Sequence, residues 1–230
     1  MKQDHNRWII IDLIRGLAVL LMIIFHFSYD LKLFGHVKID FQNDLEWWVF
    51  PRIIVFLFLF AMGLAMPITN NKPNFRNLFL KRLGKISTLA LIISLGTYFI
   101  FPKRWIYFGT LHCIAVCSIL AVPFLKRPII SLTVSILMLL PVFIFKFTYP
   151  WFSMEHQSMD YIPAIPWIAI VLLGIFSFHY NFHQIIHIKR NFLTNILEFL
   201  GKHSLKIYLI HQPILFGLVY TFSKFFKLGK

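Results

Sequence analysis

Apolar runs of about 18 to 22 residues recur along this chain, each long enough for a helix to cross a hydrocarbon core of about 30 Å. They fall near residues 8–29, 47–66, 86–101, 107–125, 128–147, 163–180 and 204–222, and an amphipathic stretch at 192–200 precedes the last. In lipid the backbone must satisfy its own N–H and C=O groups, which makes each run a helix. The sequence therefore predicts an all-α fold, a polytopic transmembrane helix bundle of about seven spans in the lipid bilayer. No internal repeat, low-complexity segment or linker divides it, so residues 1–230 are expected to form a single transmembrane domain. Only 14% of the residues are charged against 58% hydrophobic, a balance that excludes a water-soluble domain.

The formal net charge of +14 raises nucleic acid as a partner, and the placement of that charge excludes it. No polar basic domain exists to carry a nucleic acid. The cations sit between the apolar runs, where Lys and Arg set orientation. The arm with Lys2 and Arg7, the loop with Lys72, Arg76, Lys81, Arg82 and Lys85, the Lys126-Arg127 turn and the stretch with His183, His187, Lys189 and Arg190 share one side. That side is expected to be cytoplasmic, with the N-terminus, in a plasma membrane or bacterial inner membrane. The opposite side holds Asp30, Asp40, Asp44, Glu46, Glu155 and Asp160; Lys103, Arg104 and the tail lysines Lys224, Lys227 and Lys230 go against the rule. The first run lacks a small-residue cleavage site and is read as a retained helix. Cys113 and Cys117 lie four apart in one apolar run, which suits buried thiols and not a zinc or thioredoxin spacing. No metal is expected.

Ionisable groups inside a membrane are costly, so each one in a span is a functional candidate. At about 100° per residue, Asp12, Arg15, His26 and Asp30 of the first span fall within one arc of about 60°. Their common face is expected to point into the bundle. Depth divides them, because His26 and Asp30 lie roughly 20 Å along the helix from Asp12 and Arg15. Asp12 and Arg15 at i,i+3 suit an ion pair with each other. His26 and Asp30 at i,i+4 suit either a plain hydrogen-bonded pair or a general base whose tautomer the carboxylate fixes.

Two other spans supply histidines. His112, in FGTLH, is expected at the depth of His26, where the two would form an acid/base site; haem or metal ligation is the alternative. The last span carries Tyr208, His211 and Gln212 before Pro213. Counting from its cytoplasmic start puts His211 nearer Arg15 than His26, with an interhelical hydrogen bond as the plain alternative to a role in binding.

These segments together resemble the catalytic-domain family of heparan-alpha-glucosaminide N-acetyltransferase, in its compact bacterial branch of transmembrane acyltransferases. The matching pieces are Arg7 with IDLIRGLAVLLMIIFHFSYDL (11–31), FLFLFAMG (56–63), FGTLHCIAV (108–116), DYIPAIPW (160–167) and GKHSLKIYLIHQP (201–213), in order along nearly the whole chain. The resemblance implies acetyl transfer from cytoplasmic acetyl-CoA to a sugar or cell-envelope glycan acceptor on the far side. Lys81, Arg82 and Lys85 would then attract the donor's phosphates, with Arg15, Asp12 and His211 near the inner mouth. At the outer level His26, oriented by Asp30, would deprotonate the acceptor or carry the acyl group, with His112 as acid or oxyanion partner. Asp160, Tyr161 and Trp167 would meet the sugar, an interfacial aromatic belt being the alternative for Trp167. In the family's animal lysosomal member the active histidine follows the first span, near the place of His36, and the position of His26 holds asparagine. His36 is therefore a second candidate nucleophile.

Two other classes fit intramembrane charges. A proton-coupled transporter or flippase would use the same groups as a relay, and should show broken helices and inverted repeats. A non-enzymatic scaffold would need none of them.

Overall fold

The computed structural model describes residues 2–41, 43–182 and 188–228, and His183, His187 and Lys230 lie outside the described residues. The described chain is all helical and contains no strand, as the apolar runs predict. Among the described residues five helices are long and apolar enough to cross a membrane, and two shorter apolar helices, Thr110–Phe124 and Ala164–His179, complete the polytopic bundle. The chain forms two compact units, one of Met1–Phe58 with Ile186–Lys230 and one of Leu59–Ile185.

The first unit contains α1 (Lys2–Leu33), the opening half of α2 (Leu45–Asn70), α7 (Phe192–Lys202) and α8 (Ser204–Leu228). α7 begins at Asn191, whose side chain accepts from the Thr194 N–H at 2.8 Å while the Asn191 N–H donates to the Thr194 hydroxyl at 2.9 Å. This reciprocal cap satisfies donors that a helix start leaves open. α7 then runs antiparallel to α1, and two glycines set the distance. A Cβ on Gly16 would lie 1.9 Å from the Leu197 carbonyl oxygen, and one on Gly201 would lie 1.8 Å from that of Asp12. Only glycine lets the two backbones approach so closely, the device by which helices associate where no hydrophobic effect drives them.

α8 runs parallel to α1. His26 meets His211, Asp30 meets Gln212, Phe34 meets Phe216 and Tyr220, and His36 meets Ser223. Parallel first and last spans require an odd number of crossings, which five and seven satisfy and six does not. The same contacts put the end of α8 beside His36, on the face opposite the start of α1. Buried Val19, Met22 and Ile54 form the apolar centre of this unit, against Phe58, Leu200, Ile207 and Tyr208.

The second unit contains the rest of α2, α3 (Phe75–Ile100), α4 (Thr110–Ala121) with a 3-10 turn at Val122–Phe124, α5 (Pro128–Phe145) and α6 (Ala164–His179). α3 and α4 fold back on one another, with Thr97 accepting from the Ile106 N–H at 3.0 Å. α5 and α6 are likewise antiparallel: the Ser135 hydroxyl donates to the Ala169 carbonyl at 2.8 Å, and His179 bonds the Leu125 carbonyl at 2.7 Å. α2 crosses α6 at Gly63 and Gly174, whose Cα atoms leave no space for a side chain. Cys113 and Cys117 are buried free thiols 3.7 Å apart, one turn apart on α4.

Two boundaries differ from the sequence reading. α2 continues through Pro67 to Asn70, and α3 starts at Phe75 and not near Ile86. Hydropathy marks where a helix enters lipid, whereas the helix itself continues as long as propensity allows, and residues 75–85 are rich in Leu, Lys and Arg with no proline. Lys81, Arg82 and Lys85 therefore stand on the first turns of α3 and not in a loop. Lys81 and Lys85 are exposed, and Arg82 lines a small cavity with Met66, Phe79, Leu83 and Ser118.

Candidate functional site

In the first unit the polar stripe of α1 faces α7 and α8. Near its start, Arg15 lies 3.9 Å from Asp12, the i,i+3 pair expected from spacing. Beyond Gly201, Lys202 pairs with Glu198 at 2.5 Å on α7. This end of the stripe is a cluster of opposed charges where α7 crosses α1.

The far end is different in kind. The ring of His26 meets that of His211 edge-on, with centroids 4.8 Å apart. One turn further, Asp30 is 1% exposed and accepts a 3.0 Å hydrogen bond from the Gln212 side-chain amide. Counting residues from the cytoplasmic start of the last span predicts His211 nearer Arg15; its ring lies instead against His26. α7 packs along α1 at Asp12 and Gly16, so α8 sets out from inside the bundle and brings Ile207 and Tyr208 against Val19 and Met22. The expected His26–Asp30 hydrogen bond is also replaced: Asp30 Oδ1 bonds Gln212 and Oδ2 has no hydrogen-bond partner. The i,i+4 spacing permits contact, but the neighbouring helix offers Asp30 an amide donor with better reach.

Three buried atoms in this seam lack partners: Asp30 Oδ2, His211 Nε2 and Gln212 Oε1. Each such atom costs about 1–3 kcal/mol relative to a satisfied one, which a stable fold tolerates where a ligand completes the set. His211 Nδ1 lies 2.7 Å from the Tyr208 carbonyl. A carbonyl only accepts, so Nδ1 carries the ring proton and Nε2 presents a lone pair.

His36 follows α1 in a turn and is exposed. Its Nε2 lies 2.6 Å from the hydroxyl of Ser223, which itself donates to the Val219 carbonyl at 2.7 Å. The serine proton being committed, His36 Nε2 is the donor and Nδ1 is its basic nitrogen. Nothing in the sequence marks Ser223 as a partner, because a serine in an apolar helix ordinarily bonds only its own preceding turn.

In the second unit His112 is fully engaged. Its Nδ1 accepts from the Gly109 N–H at 3.2 Å, and Nε2 donates to the Ser94 hydroxyl at 3.1 Å. Ser94 in turn donates to the Ile106 carbonyl at 2.6 Å. This closed chain holds the α3–α4 hairpin and leaves His112 no lone pair to offer. Asp160 is similarly occupied at the start of α4, where it accepts from the Thr110 N–H at 2.8 Å and the Thr110 hydroxyl at 3.1 Å. A carboxylate there satisfies an open donor and meets the positive end of the helix. Asp160→Ala is expected to lower stability by about 1–2 kcal/mol, read as a fall in the thermal unfolding midpoint in detergent, with Asp160→Asn recovering part of it.

Around these residues the connecting segments gather aromatic rings. His156 stacks on Trp105 at 5.4 Å, and Tyr107 contacts His156, Phe152 and Tyr161 at 5.1, 5.9 and 5.5 Å. Tyr161 donates its hydroxyl to the Phe152 carbonyl at 2.8 Å. Burial, with Tyr107 close by, raises the Tyr161 phenol above its ordinary pKa and keeps it a donor. Trp167 is half-buried on α6. Among the described residues no group of three or more His, Cys, Asp or Glu is arranged to hold a metal ion.

A polytopic helical membrane protein with a buried histidine, carboxylate and carboxamide seam between parallel first and last spans is what fold and site define. The family described as Heparan-alpha-glucosaminide N-acetyltransferase, catalytic, matches residues 7–213, and the chain belongs to it. Membership makes it a transmembrane acetyltransferase by class. No curated protein and no solved structure matches the chain.

Proposed function

We propose that this protein transfers an acetyl group from cytoplasmic acetyl-CoA to a sugar or cell-envelope glycan on the opposite side of the plasma membrane, or inner membrane of a bacterium, with its N-terminus cytoplasmic. The observation that carries the reading is the seam of His26, Asp30, His211 and Gln212, whose buried acceptors stand without partners in a family of acetyltransferases. The asymmetry of charge supports the direction. Exposed Lys81 and Lys85, one turn apart on α3, offer the donor's phosphates a cationic helix face, and the charge pattern of the sequence assigns Arg82 and Arg15 to the cytoplasmic side as well. Asp12 keeps Arg15 in place by the ion pair.

At the reacting centre His26 contacts the acetyl group or carries it, and Asp30 holds the polar end of the seam. His36 is the alternative acyl carrier, exposed and with its ring held through Nε2 by Ser223, which leaves Nδ1 as the basic nitrogen. Tyr161, before α6, and Trp167, on α6, supply apolar ring faces suited to a sugar, and Asp160, next to Tyr161, ties that segment to the start of α4.

Purified protein incubated with radiolabelled acetyl-CoA, followed by intact-mass and peptide analysis, tests the reading. Binding measurable by calorimetry and turnover with an amino sugar are expected, and label on His26 or His36 would identify a covalent route. Absence of acetyl-CoA binding by folded, monodisperse protein would overturn it.

A further inference from the structure

The seam contains two facing imidazoles, and hydrogen-bond inventory distinguishes them. His211 donates Nδ1–H to the Tyr208 carbonyl at 2.7 Å, so its tautomer is fixed from within its own helix. Its Nε2 is buried, basic and unpartnered. Gln212 donates its amide nitrogen to Asp30 Oδ1 at 3.0 Å, which fixes the amide orientation, since the flipped amide would set oxygen against oxygen. Gln212 Oε1 and Asp30 Oδ2 are then two further atoms without partners. Of the open atoms, His211 Nε2 and Gln212 Oε1 accept and neither donates, and Asp30 and His211 are 1% and 8% exposed. Such a set recognises a group that brings hydrogens and gives one of them up.

Building on the acetyl-transfer reading, we propose that His211 is the general base of the reaction, that Gln212 with Asp30 positions the nucleophilic N–H or O–H of the acceptor against it, and that His26 is left to contact the acetyl group. The acceptor's heteroatom forms its bond to the thioester carbonyl carbon as its proton passes to His211 Nε2. The tetrahedral intermediate collapses with cleavage of the C–S bond, the sulfur leaves with the electron pair, and the His211 imidazolium returns the proton to it. Neither oxidant nor metal is needed, and the base ends as it began. Tyr208 acts through its backbone carbonyl, which stabilises the imidazolium formed midway.

The test uses full-length protein in detergent with acetyl-CoA and glucosamine as probes, following release of the CoA thiol. His211→Asn keeps a side-chain N–H near Tyr208 while removing Nε2, and is expected to lower kcat by about 10²–10⁴-fold with acetyl-CoA affinity unchanged. His211→Ala is expected to regain turnover on addition of imidazoles, with rates that rise with the basicity of the added amine, a response that a structural histidine does not give. Gln212→Ala is expected to raise the acceptor KM by about tenfold with kcat within about threefold. Turnover of His211→Asn equal to the unaltered protein, or His211→Ala loss without imidazole rescue, would overturn the assignment of the base while leaving acetyl transfer standing. Unaltered protein that neither binds acetyl-CoA nor releases thiol would overturn both readings together.

Discussion

Gly201→Val is expected to destabilise the protein by about 3–5 kcal/mol, enough to unfold much of a marginally stable population. The added Cβ would fall 1.8 Å from the Asp12 carbonyl oxygen, a backbone atom that no rotamer change can move aside. α7 would have to withdraw from α1, and the start of α8 would go with it. Gly16→Val should behave alike, since its Cβ would meet the Leu197 carbonyl at 1.9 Å. Gly96→Ala is the control: nothing lies within 4 Å of a Cβ there, and helix propensity favours alanine by about 1 kcal/mol. Thermal unfolding in detergent, read by tryptophan fluorescence and size exclusion, separates the cases. A Gly201→Val protein as stable as Gly96→Ala would mean that the α1–α7 crossing does not support the fold.

Loss of His26 is expected to lower activity as strongly as loss of His211. His26→Ala removes the ring that meets His211 edge-on at 4.8 Å and is expected to lower turnover by about 10²–10⁴-fold. Its half-buried ring makes no hydrogen bond that anchors another element, in contrast to His112, so the unfolding midpoint should change little. His112→Ala should show the opposite pattern, a stability loss of about 1–3 kcal/mol from stranding the Gly109 N–H and Ser94. Measuring turnover and midpoint for both variants in one preparation tests the division. Equal activity losses with unchanged midpoints would return His112 to the reacting centre.

The candidate site was legible in part, for a definable reason. Angle along one helix is periodic, so the inward stripe of Asp12, Arg15, His26 and Asp30 could be derived from spacing, and the Asp12–Arg15 pair followed from it. Depth between helices is not periodic and depends on where each begins. The depth of His211 is therefore not legible from counting, because the amphipathic helix at 192–202 folds against α1 and lifts the start of α8. Histidines also look alike in sequence. Hydrogen-bond partners alone distinguish the engaged ring of His112 from the tautomer-fixed and open one of His211, and those partners include Ser94 and a backbone carbonyl at Tyr208, which have no sequence signature.

Sequence by itself determined that this chain is a membrane bundle of apolar helices, the order of the apolar runs along it, and which face of α1 is polar, because those properties follow from composition and from the fixed geometry of one helix. Tertiary structure alone decided which spans run side by side, that two glycines seat α7 on α1, and that Gln212 and His211 arrive opposite Asp30 and His26. Contacts between segments nearly two hundred residues apart depend on how closely backbones can approach, and that distance is set by the packing of both partners together.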